Sequence, residues 1–120
     1  MLNKYLVPSF IVAEFPELEA ELKKISATLN VYKCMACFVG FTKKQMITDN
    51  FAKLRQCFLT IEHLYINADE QVKTAIESVY IHALSATDKI LGIHERKKML
   101  PLMPAIIQNL YLEQRSSSGI

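Results

Sequence analysis

The sequence predicts an all-α fold, a compact bundle of about five helices with a central antiparallel helical hairpin. Apolar residues recur at steps of three and four in two consecutive stretches, and this is the period of an amphipathic helix. They are Phe51, Leu54, Phe58, Ile61 and Tyr65 in the first stretch, and Val72, Ile76, Val79 and Ala83 in the second, with Ala75 and Tyr80 alongside. With only 3 Gly and 4 Pro in 120 residues, the chain suits long helices better than a turn-dense β fold.

The length of the chain fits one domain. We assign residues 1–115 to a single helical domain and residues 116–120 to a flexible C-terminal tail. Hydrophobic residues make up 51% of the chain and charged residues 22%, which is ordinary for a globular core under a solvated surface. A domain of this size needs no disulfide or metal ion for its stability.

Two helices are predicted in the N-terminal part. The first covers Leu2–Glu14, and Pro8 is expected to kink it or to delay its start, because proline lacks a backbone N–H and clashes with the preceding turn. The second begins at Pro16, whose fixed φ suits the first helical position. Its apolar stripe consists of Leu18, Leu22, Ile25 and Leu29 and ends at Asn30.

The third element, Val31–Phe41, is apolar on nearly every side. Period alone does not separate a buried helix from a buried strand here. The length of the stretch and its all-helical context favour a central helix packed on several sides. Such a helix would end near Gly40 or continue to Ile47.

The fourth and fifth helices are the hairpin, Phe51–Leu84, with a polar hinge at Ile66–Asp69. Asp49 or Asn50 is expected to cap the fourth helix and Asp69 the fifth, since side-chain oxygens at these positions accept N–H groups of the first turn. The core positions expected to be most sensitive to truncation are Phe58, Ile61, Ile76 and Val79.

The C-terminal part is expected to be less regular. A loose connection leads to a short helical turn over Glu95–Leu100. Pro101 and Pro104 then interrupt the chain, and a last helix is predicted from Ala105 to about Arg115.

Composition and charge argue against nucleic acid and membranes as partners. The net charge of +2 is small, whereas a nucleic-acid-binding domain normally carries a basic stripe on a strongly basic surface. The apolar run Tyr5–Ala13 is far shorter than a membrane span and lacks the small residue of a signal-peptide cleavage site, so we interpret it as part of the first helix.

The one recognisable chemical pattern is the Cys-x-x-Cys of Cys34 and Cys37. A redox motif of this kind usually follows a strand, and no strand pattern precedes it here. Together with Cys57, these residues are expected to be structural cysteines, and whether they have a role beyond packing stays open. Their odd number favours a reducing, cytoplasmic location. His63, His82 and His94 show no paired ligand spacing, so no zinc site is predicted.

No catalytic, cofactor-binding or metal-binding residue is predicted, because the chain has neither a glycine-rich phosphate loop nor a nucleophile elbow. The predicted function is a non-catalytic protein-interaction or binding module whose partner is another protein or a second copy. The alternative is a small-ligand-binding protein or enzyme with a pocket between helices, where His63, His82 and tyrosines would converge.

Part of the chain resembles a group of small uncharacterised helical bacterial proteins, some of which look like immunity-type proteins that neutralise a partner toxin. The resemblance lies in Phe15-Pro16-Glu17-Leu18, in Phe58, Ile61 and Leu64-Tyr65 before the hinge, and in Val72, Ala75-Ile76 and Leu84. It covers about half of the chain and concerns mainly packing positions. The resemblance implies a helical fold and a protein partner, and it supplies no catalytic residues.

Self-association is a further prediction from the apolar content. The stretches Val31–Phe41 and Leu100–Leu112 hold more apolar side chains than five short helices easily bury. Some of this surface should remain outside, where a two-fold contact is the commonest way to cover it. The competing explanation is a central third helix that absorbs it.

Overall fold

The computed structural model describes residues 1–26, 30–87 and 97–118, and describes side chains for 1–25, 30–87 and 97–114. Apart from an isolated bridge between Leu2 and Ala68, the regular elements of this part are helical. They are α1 (Val7–Glu14), a 3-10 turn (Pro16–Leu18), α2 (Glu19–Ser26), α3 (Val31–Ile47), α4 (Phe51–Asn67), α5 (Glu70–Ala75), a π-helical segment (Ile76–Ile81), α6 (His82–Thr87), a second 3-10 turn (Leu100–Leu102) and α7 (Ala105–Ser118). The all-α prediction is confirmed.

The first helix begins later than predicted because the N-terminal segment holds the hinge of the hairpin. The N–H of Leu2 donates to the carbonyl of Asn67 at 2.7 Å, and the N–H of Asp69 donates to the carbonyl of Leu2 at 2.9 Å. These bonds keep Leu2 extended, and α1 starts at Val7. Pro8 therefore lies in the first turn, where a backbone donor is not needed, and the helix continues past it.

The ambiguous third stretch is a helix, and it reaches Ile47, the longer of the two expected ends. Asn30 ends the preceding connection and caps α3, since its side-chain oxygen accepts the N–H of Lys33 at 3.2 Å. Residues 27–29, including the predicted stripe residue Leu29, lie outside the described part. The position of α3 is central, because α1, α2, α4, α5 and the π-helical segment all pack on it.

Both hairpin helices begin at predicted caps. The side-chain oxygen of Asn50 accepts the N–H of Lys53 at 3.3 Å, and that of Asp69 accepts the N–H of Val72 at 2.9 Å. Asp49, the alternative cap of α4, has a φ of 56° instead. This left-handed conformation, which Asp tolerates better than most residues, reverses the chain between α3 and α4.

The hinge of the hairpin is shorter than predicted, with Ala68 and Asp69 between the two helices. Across it, the Tyr65 hydroxyl of α4 donates to Glu77 Oε2 of the π-helical segment at 3.0 Å. Both arms of the hairpin also pack on α3, and the π-helical segment packs on α3 more extensively than on any other element. The centre of the bundle is therefore α3, with the hairpin arms around it.

The fifth predicted helix is divided by the π-helical segment, and this changes which residues reach the core. Val79 and Ala83, expected in the apolar stripe, are only partly buried. Four fully buried residues follow at constant steps of four, Val72, Ile76, Tyr80 and Leu84, with Ala75 and Ile81 also fully buried beside them. Because i→i+5 hydrogen bonds add about one residue to a turn, steps of four stay aligned there better than in an α-helix. Tyr80 thus takes the core position predicted for Val79.

An aromatic cluster joins the 3-10 turn region, α3 and the π-helical segment. The ring of Phe38 lies 5.5 Å from that of Phe15 and 5.6 Å from that of Tyr80, between ring centroids. The hydroxyl oxygens of Tyr80 and Thr42 are 2.8 Å apart, and Thr42 donates to the carbonyl of Phe38 at 2.9 Å. Since Thr42 has one hydroxyl proton, Tyr80 is the donor to Thr42. The fully buried phenol is therefore satisfied, and it ties the π-helical segment to α3.

The C-terminal helix α7 starts at Ala105, as predicted, and extends beyond the expected end near Arg115 to Ser118. Its buried residues Ile107 and Tyr111 face the helices α4 and α6, on which α7 packs. Residues 97–99 are helical within the turn predicted over 95–100, whose first two residues lie outside the described part. Among the described helices, none combines the length and apolar composition that crossing a membrane requires.

Candidate functional site

The three cysteines lie in environments that suppress thiol reactivity. Cys34 and Cys57 are buried, and Cys37 is half-buried. Burial raises the pKa of the Cys34 thiol, and it raises the pKa of Cys37 and of Cys57 to about 12. A redox Cys-x-x-Cys needs the opposite shift, because the thiolate is the nucleophile. These thiols are protonated at neutral pH.

The histidines do not gather at a common site in the described part of the chain. His63 is exposed on α4 and His82 on α6, and neither lines the groove described below. His94 lies outside the described residues. No group of three or more His, Cys, Asp and Glu side chains is placed to hold a metal ion among the residues that the structure describes.

A groove of about 450 Å³ lies between α2 and α3. Its floor is formed by the small exposed residues Ala36 and Gly40 of α3. A Cβ atom added at Gly40 would have no neighbouring atom within 4 Å, so the backbone of α3 faces open space here. Phe41 and Lys44 continue the α3 wall toward the C-terminal end of the helix.

The opposite wall of the groove is acidic and is fixed by two contacts. Cys37 Sγ donates to Glu21 Oε2 at 3.3 Å. Lys53 Nζ, from α4, lies 2.5 Å from Glu17 Oε2, and this charge-assisted hydrogen bond lowers the pKa of Glu17. Lys53 Nζ also lies 5.9 Å from the centre of the Phe41 ring. Glu17 is therefore neutralised within the chain, whereas Glu21 forms no ion pair with any described residue.

The groove is part of a longer exposed stripe along α3. Steps of three and four place these exposed residues on one helix face: Lys33, Ala36, Gly40, Lys44 and Ile47. Ile47 is 73% exposed, and Tyr32, at the edge of the stripe, is 43% exposed. For Lys44, too, no ion pair is formed within the described ranges. We call this face the α3 stripe.

Sequence reasoning missed this face because it treated residues 31–41 as apolar on every side. The signal was present in the small residues, since Ala36 and Gly40 are four positions apart and Lys33 and Lys44 flank them on the same face. Small side chains count as apolar in a periodicity analysis. They bury little surface, however, and can lie on either side of a helix.

A second, smaller groove of about 300 Å³ lies between α1 and α2. Its apolar lining includes Pro8, Val12 and Leu22, and Tyr5 stands 58% exposed at its edge. Its polar lining includes the α2 pair Glu19 and Lys23, whose charged atoms lie 3.9 Å apart.

Among protein families, the model of a domain of unknown function (DUF7674) matches residues 8–117. The chain belongs to this family. The DUF7674 match includes all of α1 except Val7, both walls of the groove and nearly all of α7, so the α3 stripe lies within the family domain. Membership in an uncharacterised family, the coarser part of the resemblance, is confirmed. No curated protein and no solved structure matches the chain significantly.

Proposed function

We propose that this protein is a non-catalytic interaction module that binds another polypeptide through the α2–α3 groove and the α3 stripe. The observation that carries the proposal is the open floor at Ala36 and Gly40, on the same face of α3 as the exposed side chain of Ile47. Small residues let a partner backbone approach α3 closely. Burial of Ile47 and of the exposed part of Phe41 would supply favourable apolar contact.

The way in which α3 packs into the core supports this proposal. The helix is 17 residues long, about 25 Å at a rise of 1.5 Å per residue. Phe38 and Thr42 on its inner side are fully buried in the core. Because this packing fixes the helix, its outer side is also held in place. A rigid face costs little conformational entropy on binding. The spacing of the stripe also suits a helical segment, whose contacts repeat at steps of three and four.

The chemistry of the groove favours binding over catalysis. Its thiol, Cys37, has a pKa raised to about 12 by burial and by the neighbouring Glu21 carboxylate. Glu21 accepts the thiol hydrogen bond and keeps the sulfur protonated. This pair positions side chains in the groove wall, and it does not generate a nucleophile.

The proposal includes a cytoplasmic location and a protein partner, and excludes nucleic acid. Three free cysteines with protonated thiols suit a reducing compartment. The resemblance to bacterial immunity-type proteins makes a toxin one class of partner. A toxin gene next to the gene for this protein would support that class, and its consistent absence among relatives would count against it.

Site-directed photo-crosslinking tests the groove directly. A photoreactive phenylalanine derivative replaces either Lys44, at the groove, or Ala86, which is exposed on α6. After irradiation in cells, position 44 should give a discrete adduct and position 86 should not. Gly40→Leu, which fills the floor, should abolish the adduct. The matched control Ser9→Leu, in the α1–α2 groove, should leave it unchanged.

Two crosslinking results would contradict the proposal. Equal adducts at positions 44 and 86, or an adduct from position 44 that survives Gly40→Leu, would mean that the groove is not the binding surface. Retention of a small molecule by the purified protein, displaced in Gly40→Leu, would favour the small-ligand alternative.

A further inference from the structure

We infer that the occupant of the groove is a second copy of this chain, docked by an antiparallel, two-fold crossing of α3 on α3 centred at Gly40. This inference rests on the proposed function and names its partner. It follows from the order of residues along the α3 stripe, which is complementary to itself when reversed about Gly40.

The centre of the crossing is set by residue size. Gly40 is the smallest residue of the stripe and has open space above it. Two helices approach most closely where both present a small side chain, so a symmetric contact is favoured with Gly40 on the axis. Ala36 and Lys44 lie about 6 Å to either side along the helix, at four residues each. A two-fold axis at Gly40 therefore places the partner's Lys44 opposite Ala36.

The charges agree with this register. Glu21 Oε2 lies at the Ala36 end of the groove, 3.3 Å from Cys37 Sγ. The partner's Lys44, opposite Ala36, thus falls beside Glu21, and symmetry repeats the pair. Neither group forms an ion pair with a side chain of residues 1–25, 30–87 and 97–114 of its own chain. Two reciprocal ion pairs result from one register.

The other lysines of α3 also avoid one another in this register. Reversal about position 40 puts the partner's Lys43 opposite Cys37 and the partner's Ile47 opposite Lys33. No lysine therefore faces a lysine, although the face carries several of them. Displacing the crossing to position 38 would instead bring Lys33 against the partner's Lys43, and a crossing midway between positions 38 and 39 would bring it against the partner's Lys44. Either register would cost like-charge repulsion.

The apolar surface left open on the stripe is covered by the same contact. Ile47, at 73% exposure, packs against the aliphatic stem of the partner's Lys33, whose ammonium group remains in water. Tyr32, 43% exposed, lies next to Lys33 in sequence and borders this end of the contact. A different protein would need to present the same order of a small, a basic and an apolar residue, which this chain already presents in Gly40, Lys44 and Ile47.

A charge-exchange experiment tests the reciprocal pairs. Lys44→Glu places a second carboxylate beside the partner's Glu21, and Glu21→Lys places a second ammonium group beside the partner's Lys44. The self-association constant of each variant should therefore fall by about tenfold or more. Mixed together, the two variants should recover it, because each heterodimer then holds two opposite-charge pairs. The double variant Lys44→Glu with Glu21→Lys should also recover it. Arg55→Glu, on exposed α4 surface, is the control and should associate like the natural protein.

The measurement is sedimentation equilibrium from micromolar to submillimolar concentrations, with native mass spectrometry of differently sized tags for the mixtures. A concentration-dependent dimer with the exchange pattern above supports the inference. A monomer throughout the range overturns it, as does a dimer that ignores both charge reversals. Persistent Gly40-dependent crosslinks to a different protein would then preserve the proposed function and discard only the second copy as occupant.

Disulfide trapping tests the register independently of charge. In Gly40→Cys the two new thiols meet on the two-fold axis and should form a covalent dimer under mild oxidation. Ala86→Cys, equally exposed but on α6, should form it much more slowly. Equal rates for the two variants would contradict a contact centred at Gly40. Circular dichroism of each reduced variant shows whether the fold is intact.

Discussion

The two sides of α3 differ in what holds them. The inner side carries large residues such as Phe38, which stacks on Tyr80, and a hydroxyl pair that is fully buried. The outer side carries Ala36 and Gly40 at the floor of an open groove. Neither side carries a charged residue from Cys34 to Thr42, so charge does not distinguish the two sides over this span. Side-chain volume therefore decides which face of this nearly all-apolar segment enters the core.

The strongest test of the inner side is alkaline pH. Burial raises the pKa of Tyr80 well above its usual value of 10.0, and that of Cys57 from 9.0 to about 12. The folded chain therefore holds protons that the unfolded chain releases above about pH 9, and stability falls as pH rises. We expect the urea midpoint to be flat from pH 6 to 8 and to decrease steeply from pH 9 toward 12.

Replacing the titrating groups should flatten this alkaline decline. Tyr80→Phe removes the phenol, and a double variant with Cys57→Ala removes the thiol as well. With each substitution the urea midpoint should depend less on pH above 9, independently of how much stability the variant loses at pH 7. An unchanged slope in both variants would assign the decline to other groups.

The second prediction compares truncations on the two sides. Phe38→Ala removes a fully buried ring from the inner side and should lower the free energy of unfolding by about 3–5 kcal/mol. Ile47→Ala, on the outer side of the same helix, should change it by less than about 0.5 kcal/mol in the monomer. Urea denaturation at low protein concentration measures both. Comparable losses would show that the two sides do not differ as described.

The third prediction isolates the hydrogen bond of the inner side at neutral pH. Tyr80→Phe keeps the ring but leaves Thr42 without its donor, and should cost about 1–2 kcal/mol. Tyr5→Phe, at an exposed hydroxyl, should be neutral. Equal effects of the two substitutions would mean that the buried hydrogen bond contributes no more to stability than a hydroxyl group exposed to water.

The smallest predicted effect has the opposite sign and belongs to the outer side. Gly40→Ala adds a methyl group into open space and reduces the entropy of the unfolded chain. The monomer should gain about 0.5–1 kcal/mol in stability. A loss of stability would show that the groove floor is already filled. A gain accompanied by weaker binding would show that glycine serves the surface there.

Other features follow from the sequence because local chemistry dictates them. Asn50 and Asp69 cap their helices as predicted, since an N-cap needs only one side-chain oxygen and the first turn beside it. The all-α class follows from periodicity over long stretches. The buried state of Cys34 and Cys57 follows from their apolar neighbours.

Three features were decided by tertiary structure. The N-terminal segment is extended at Leu2 because the distant hinge offers backbone partners there. Tyr80 replaces Val79 in the core because a π-helical segment, invisible to a fixed 3.6-residue period, turns its hydroxyl toward Thr42. The outer side of α3 stays open because the neighbouring helices pack against the side that carries the large residues. A sequence fixes the periods and caps of its helices, whereas contacts between distant segments decide which face each helix buries.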